Sequence, residues 1–329
     1  MAVFTRLDHD DINKALQRFE LGEVLHFEGI TAGMENSNYF VSLGHHHPNF
    51  LSDSQKGEYV LTLFEELPAA QLPFYIKLLK TLKQQGIAVA APIDDVDGQA
   101  LQCIAGKPAV LCPKLPGEHP VTPNIRQCEI IGQTLAAIHN ALHSLEAQNH
   151  QGGIRDTSWL QSSIYKIAGY FSDDEYALTN DVFQQYMAAK QKNTFSQSVL
   201  HGDLFHDNAL FNGDKLSGII DFYNAGFGDC IYDLAIVVND WCLDDDGQVK
   251  TEHYYALVSA YTAIHPLNDT DKQYWPIFLQ ITALRFWVSR SLARHRNAHT
   301  AHASLPIKDP LQYKQILLQH RQNAALSLL

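Results

Sequence analysis

The chain has 329 residues, 46% hydrophobic and 18% charged, which is ample apolar material for two lobes with cores of their own. A formal net charge of −12 with no basic run excludes broad binding to nucleic acid or an anionic membrane, so any anionic ligand needs a locally positive site. The five cysteines are odd in number, widely spaced and without a CxxC pair, which argues against a disulfide scaffold or a zinc cluster. The start MAVFTRLDHDDINKAL carries early acidic residues and no apolar signal region, and no apolar run reaches the roughly twenty residues of a membrane span. The expectation is a soluble cytoplasmic protein with reduced thiols.

In chain order, Thr5 through Phe19 predicts a short helix capped near Asp8 or Asp10. Residues 23 to 67 alternate as strands at Val24–Phe27, Tyr39–Val41 and Tyr59–Leu63, the pattern of an antiparallel sheet. The stretch Gly29 to Asn38 joins the first two, and its glycines allow backbone amides to approach phosphates. Gly44 to Gly57 reads as a surface insertion; its His45, His46 and His47 cannot all face one ion from a strand, because neighbours point to opposite sides. Pro73 through Gly86 predicts an amphipathic helix with Tyr75, Leu78, Leu79 and Leu82 on one face. Strands are expected at Val89–Pro92, Leu101–Ile104 and Ala109–Cys112, followed by a lobe boundary at 113–117, between an N-terminal lobe 1–112 and a C-terminal lobe 118–329. Ile125 to His143 and residues 160 to 193 read as helices, with His139 structural.

The stretch LHGDLFHDNALFNGDKLSGIIDF, Leu200 to Phe222, carries the chemistry. Phosphoryl transfer asks for charge neutralisation and alignment more than for covalent catalysis. A carboxylate such as Asp203 suits accepting the proton of an attacking hydroxyl. Asn208, five residues on, and Asp221 supply the few hard oxygen donors that magnesium takes from a protein. Asn212-Gly213 predicts a tight hairpin between short apolar runs, which brings Asp221 to a strand end beside the loop. Further on, Asp233 begins an apolar run and reads as a helix N-cap. Trp275 through His295 forms a helix with a stripe of Ile277, Ile281, Leu284, Val288 and Leu292, and Arg285, Arg290 and Arg294 lie off it.

LHGDLFHDN, IIDFYNAGFGDCIYDLAIVVNDWC, MENSNYFV, YVLTLFE and KLPGE together resemble the homoserine kinases of the aminoglycoside-phosphotransferase-like, protein-kinase-like type, from about Gly29 to about Arg294. The resemblance implies a bilobal α+β fold, with a small antiparallel-sheet N-lobe and a larger, mainly helical C-lobe. It also implies ATP and Mg2+ as cofactors and L-homoserine as acceptor. It makes Gly33, Asn36, Ser37 and Asn38 nucleotide-loop candidates and places adenine against Cys112, Lys114 and Leu115. It gives His201, Asp229 and Asp233 supporting roles, Asp233 as a brace of the catalytic loop. Asp207 is the candidate for the substrate ammonium, and Arg285 and Arg290 for its carboxylate, although these two diverge by about 140° around a helix. Thr62 stands where protein kinases carry a phosphate-binding lysine, which leaves Lys77, Lys80 and Lys83 as candidates for that contact. A kinase for choline, an aminoglycoside or a sugar-like metabolite, and a nucleotide-binding pseudokinase, are the alternatives at this point.

Overall fold

A computed structural model describes residues 3–30, 36–45, 57–143, 145, 155–244, 246–298 and 308–322. Gly33, His46 and His47 lie outside them. The chain divides into two compact units, one of Met1–Glu118 with Leu210–Gly213 and Ser217–Ile220, the other of His119–Ala209, Asp214–Leu216 and Asp221–Leu329.

The first unit opens with helix α1 (His9–Leu16), where Asp8 and Asp11 form a reciprocal capping box. Strands β1 (Val24–Gly29), β2 (Asn36–Leu43) and β3 (Glu58–Phe64) follow, then helix α2 (Leu72–Gln84) and strands β4 (Gln102–Ile104) and β5 (Lys107–Pro113). The five strands form one antiparallel sheet in the order β1-β2-β3-β5-β4. The period-two alternation of β2 buries Tyr39, Val41 and Leu43 on one face, where they join Ile12 and Leu16 of α1 in the core. Tyr75, Leu78, Leu79 and Leu82 are the buried face of α2, as the spacing predicts.

One local difference from the sequence reading has a physical cause. Val89–Pro92 is not a strand: the Ala91 N–H turns back onto the Val89 carbonyl at 3.0 Å, and Val89 alone bridges to Ile219. Residues 113–117 are tied into the first unit, since the Lys114 N–H donates to the Glu58 carbonyl (3.1 Å) and Glu118 pairs with Phe211.

The second unit contains helices α3 (Ile125–Leu142), α4 (Thr157–Ile167) and α5 (Asp173–Lys192), then strand β6 (Gln197–Leu200). The hairpin β7 (Ala209–Asn212) and β8 (Lys215–Ile219) comes next in the chain, turning at the predicted Asn212-Gly213. Strand β9 (Gly226–Asp229) and helices α6 (Cys230–Trp241), α7 (Thr251–Thr262), α8 (Asp269–Ala298) and α9 (Pro310–Gln322) complete it. Helix α6 is apolar nearly all round and is the centre of the unit, with Leu234 through Val238 fully buried. Helix α3 packs on α7 at Gly132, where a Cβ would stand 2.2 Å from the Leu257 carbonyl oxygen. No helix among the described residues is long and apolar enough to cross a membrane.

Candidate active site

Strands β6 and β9 pair antiparallel, with Leu200 opposite Gly226, and so close the base of the excursion that carries Asp203, Asn208 and Asp221. Both ends of the chemistry-bearing stretch are therefore fixed to one two-stranded base. The loop leaves β6 through His201, which is buried and lies tilted against Phe222 with ring centres 4.4 Å apart. The His201 Nδ1 accepts the Asp203 N–H at 3.2 Å. Gly202 has φ +77, a backbone conformation that favours glycine.

One face of α6 holds this loop. Asp233, fully buried, accepts the N–H groups of His201 (2.8 Å) and Gly202 (2.9 Å) and pairs with His139 Nε2 (3.1 Å). Burial by itself raises the Asp233 pKa, but His139, His201 and the Gly202 N–H reverse this and hold the carboxyl below its ordinary value. Burial likewise pushes His139 down, and Cys230 and Asp233 overturn that and lift it to about 9. Two turns along the same face, Asp240 accepts from the His206 backbone (2.6 Å) and bonds its ring (2.8 Å), while the Trp241 indole donates to the Leu204 carbonyl (3.0 Å). Positions 233, 240 and 241 share a helix face at the i, i+7, i+8 spacing, which makes α6 a rail for the loop. Asp233 thus lies inside α6 and is not its N-cap; Asp229 holds that position. Asp229 is buried, pairs with Lys190 and accepts from Gln197 Nε2 at 3.1 Å.

Asn208 donates its amide to the Asp203 carbonyl at 2.8 Å, which leaves its Oδ1 as an oxygen donor. Asp221 follows β8 with φ +63, a left-handed conformation that Asp tolerates through its short polar side chain, and it is exposed. An amide oxygen and a carboxylate are hard donors and fit an ion such as magnesium, which takes its other ligands from water and phosphate. Asn224 approaches the Asp203 carboxylate through Nδ2 at 3.4 Å, and its own buried Oδ1 has no partner. Sequence reasoning missed Asn224, Asp240 and Trp241; the repeat of aspartates seven apart on an apolar helix was the signal for Asp240.

The two arginines separate. Arg285 is buried, donates to the Gly202 carbonyl at 2.6 Å and lies over the Phe286 ring, 4.3 Å from its centre. From α8 it therefore holds the loop that carries Asp203, and its buried Nε has no hydrogen-bond partner among the described residues. Arg290 is half-buried over Tyr313 and bonds Gln312 Oε1 (2.8 Å) and the Asp309 carbonyl (3.3 Å). Burial pushes its pKa down, opposed by Tyr313 and by the carboxylates Asp240, Asp203 and Asp207. Asp207 pairs with Lys308.

In the first unit, Asn36, Ser37 and Asn38 are the first residues of β2 rather than a loop. Ser37 faces the buried side, where its hydroxyl donates to Glu65 (2.6 Å) and accepts from the Phe4 and Thr5 N–H groups. Asn36 and Asn38 share the other face, and Asn38 accepts from the Thr62 hydroxyl at 2.7 Å. Thr62 at the lysine position is thus paired and neutral. Of the three lysines, Lys80 pairs with Asp94 and Lys77 shares a surface groove with both. Lys83 lies near buried Cys112; burial lowers the Lys83 pKa and lifts the Cys112 thiol to about 12. Lys114 stands over the Phe40 ring at 4.3 Å, and Leu115 is buried.

The sequence pattern of the phosphotransferase enzyme family (APH) matches residues 26–267. A homoserine kinase of Pseudomonas aeruginosa is 36% identical over 331 residues, a match that covers 100% of this chain and 99% of the relative. A homoserine kinase of Cupriavidus taiwanensis is 38% identical over 88% of this chain and 87% of its own. A solved amicoumacin kinase in complex with AMP-PNP and Ca2+ has a TM-score of 0.69 at 17% identity, covering 96% of this chain and 92% of that one, a likeness of fold.

Proposed function

This chain belongs to the phosphotransferase enzyme family, with relatives named homoserine kinase that match it end to end. From that premise we propose that it transfers the γ-phosphoryl group of ATP to the side-chain hydroxyl of L-homoserine. The product, O-phospho-L-homoserine, serves threonine biosynthesis. The observation that carries the reading is the braced loop, in which Asp233, Asp240, Trp241 and Arg285 hold the backbone that presents Asp203.

Asp203 accepts the proton of the homoserine hydroxyl as that oxygen attacks the γ-phosphorus and the bond to ADP breaks. Asn208 and Asp221 would hold magnesium, which when bound neutralises charge on the phosphates. We assign Asn36 and Asn38, with Gly33, to the nucleotide phosphates and Cys112, Lys114 and Leu115 to the adenine, with Ser37 anchoring the start of their strand. Lys83 is our candidate for a positive contact to the phosphates in place of the lysine that Thr62 replaces. The lobe division we propose is 1–112, a connection at 113–117, and 118–329. A cytoplasmic location agrees with free thiols at all five cysteines.

The test is phosphoryl transfer from magnesium-ATP to L-homoserine, measured against choline, kanamycin, L-serine and a sugar panel with each product identified by mass. Preferred formation of phosphohomoserine is expected. Preferred transfer to another acceptor would replace homoserine, and ATP binding without transfer to any of them would favour a pseudokinase.

A further inference from the structure

Homoserine carries an ammonium and a carboxylate on one carbon, and assigning partners to those two groups rests on its being the acceptor. Beside the catalytic loop, Phe205, Phe286 and Tyr313 pack together, with ring centres 4.6, 5.1 and 6.0 Å apart. Each ring carries a cation: Lys308 Nζ lies 5.1 Å from Phe205, Arg285 Cζ 4.3 Å from Phe286 and Arg290 Cζ 4.4 Å from Tyr313. The cluster gathers these three cations beside the carboxylates Asp203, Asp207 and Asp240, and Phe205 is part of the loop that presents Asp203.

The three cations differ in what they are free to do. Arg285 is buried and bonds the Gly202 carbonyl through one terminal nitrogen. Arg290 is half-buried and oriented by Gln312. Lys308 is exposed, and its ammonium bonds the exposed carboxylate of Asp207, on the same loop as Asp203. We propose that the Asp207–Lys308 pair recognises the amino-acid end of the substrate: Asp207 takes the α-ammonium, and Lys308, supported by Arg290, takes the α-carboxylate. An exposed ion pair contributes little to stability, so opening it costs little, and the zwitterion returns two opposite-charge contacts for the one lost. The Phe205 and Tyr313 faces keep both cations in place while the pair opens.

The experiment compares the wild type, Lys308→Met and Asp207→Asn in steady-state kinetics. Two truncated compounds serve as competing ligands: 3-aminopropan-1-ol lacks the carboxylate of homoserine, and 4-hydroxybutanoate lacks its ammonium. Each substitution is expected to raise KM for homoserine about tenfold or more, the loss of one charge-assisted contact, with KM for ATP unchanged. Lys308→Met should weaken inhibition by 4-hydroxybutanoate and spare 3-aminopropan-1-ol, and Asp207→Asn should do the reverse. Unchanged KM for homoserine in both variants would overturn the proposal, as would a rise confined to KM for ATP, which would make the cluster a phosphate contact. A wild type that phosphorylates another acceptor and not homoserine defeats the acceptor assignment itself, and that result is read before any variant is made.

Discussion

Asp203 is restrained at its N–H by His201, at its carbonyl by Asn208 and at its carboxylate by Asn224. Replacing one oxygen of its side chain by an amide keeps that shape and removes the proton acceptor. Asp203→Asn is therefore expected to lower kcat by about 10²–10⁴, the usual contribution of a general base, with ATP affinity retained. Near-normal turnover, measured alongside ATP binding by calorimetry, would take Asp203 out of the base role. The candidates at 203, 208 and 221 could be named from the sequence because they rest on spacing along a short stretch of chain. Arg285 could not be named as a support, because that role depends on the carbonyl that lies over it, a contact no local spacing encodes. Ser37 shows the same limit: strand alternation separates it from Asn36 and Asn38, but only the N-terminal segment folded over it explains its bonds.

Among elements, the packing of α3 on α7 has the least room. A methyl group at Gly132 would press on the backbone of Leu257, which cannot rotate away as a side chain end could. Ala gains about 1 kcal/mol over Gly in helix propensity. Overpacking typically costs about 1–3 kcal/mol and here meets a carbonyl oxygen at 2.2 Å, so the clash wins. Gly132→Ala should lower the urea midpoint by a matching amount with the m-value unchanged, and a variant as stable as the wild type would show that the two helices separate without cost. The capping boxes of α1 and α3 and the apolar stripe of α2 follow from local sequence, as does the β7–β8 hairpin. Strands β6 and β9 were missed because each is four residues long and exists only through the other. Pairing partners that lie beyond the whole catalytic excursion leave no periodic trace.

For the molecule as a whole, the clearest pH dependence comes from a histidine away from the chemistry. His320 of α9 is buried and bonds Asn239 of α6 at 2.7 Å, and Asn239 in turn donates to the Leu279 carbonyl and the Thr282 hydroxyl of α8. Burial pushes the His320 pKa from 6.5 to about 4. The folded state therefore keeps the ring neutral, while the unfolded chain takes up a proton once the pH falls below about 6.5. Stability is full above that pH and is lost towards pH 4, at about 1.4 kcal/mol per unit. Between pH 7.5 and 5.0 the wild type should lose about 2 kcal/mol more than His320→Gln in urea unfolding. Equal losses would mean that the ring titrates normally in the folded state.

The sequence by itself determined the class of chemistry, the candidate residues for it and the antiparallel and helical character of the two halves. Each of these is local: a proton acceptor and two oxygen donors at fixed spacing, a turn dipeptide, a period of two or of 3.6. Only the tertiary structure decided which groups hold that chemistry in place. Asp233 holds the loop through two backbone N–H groups from inside α6, Arg285 supports it from α8, and Asp240 and Trp241 join them. The physical reason is that a buried polar group takes its role from the partner that satisfies it, and those partners come from helices far apart in the chain.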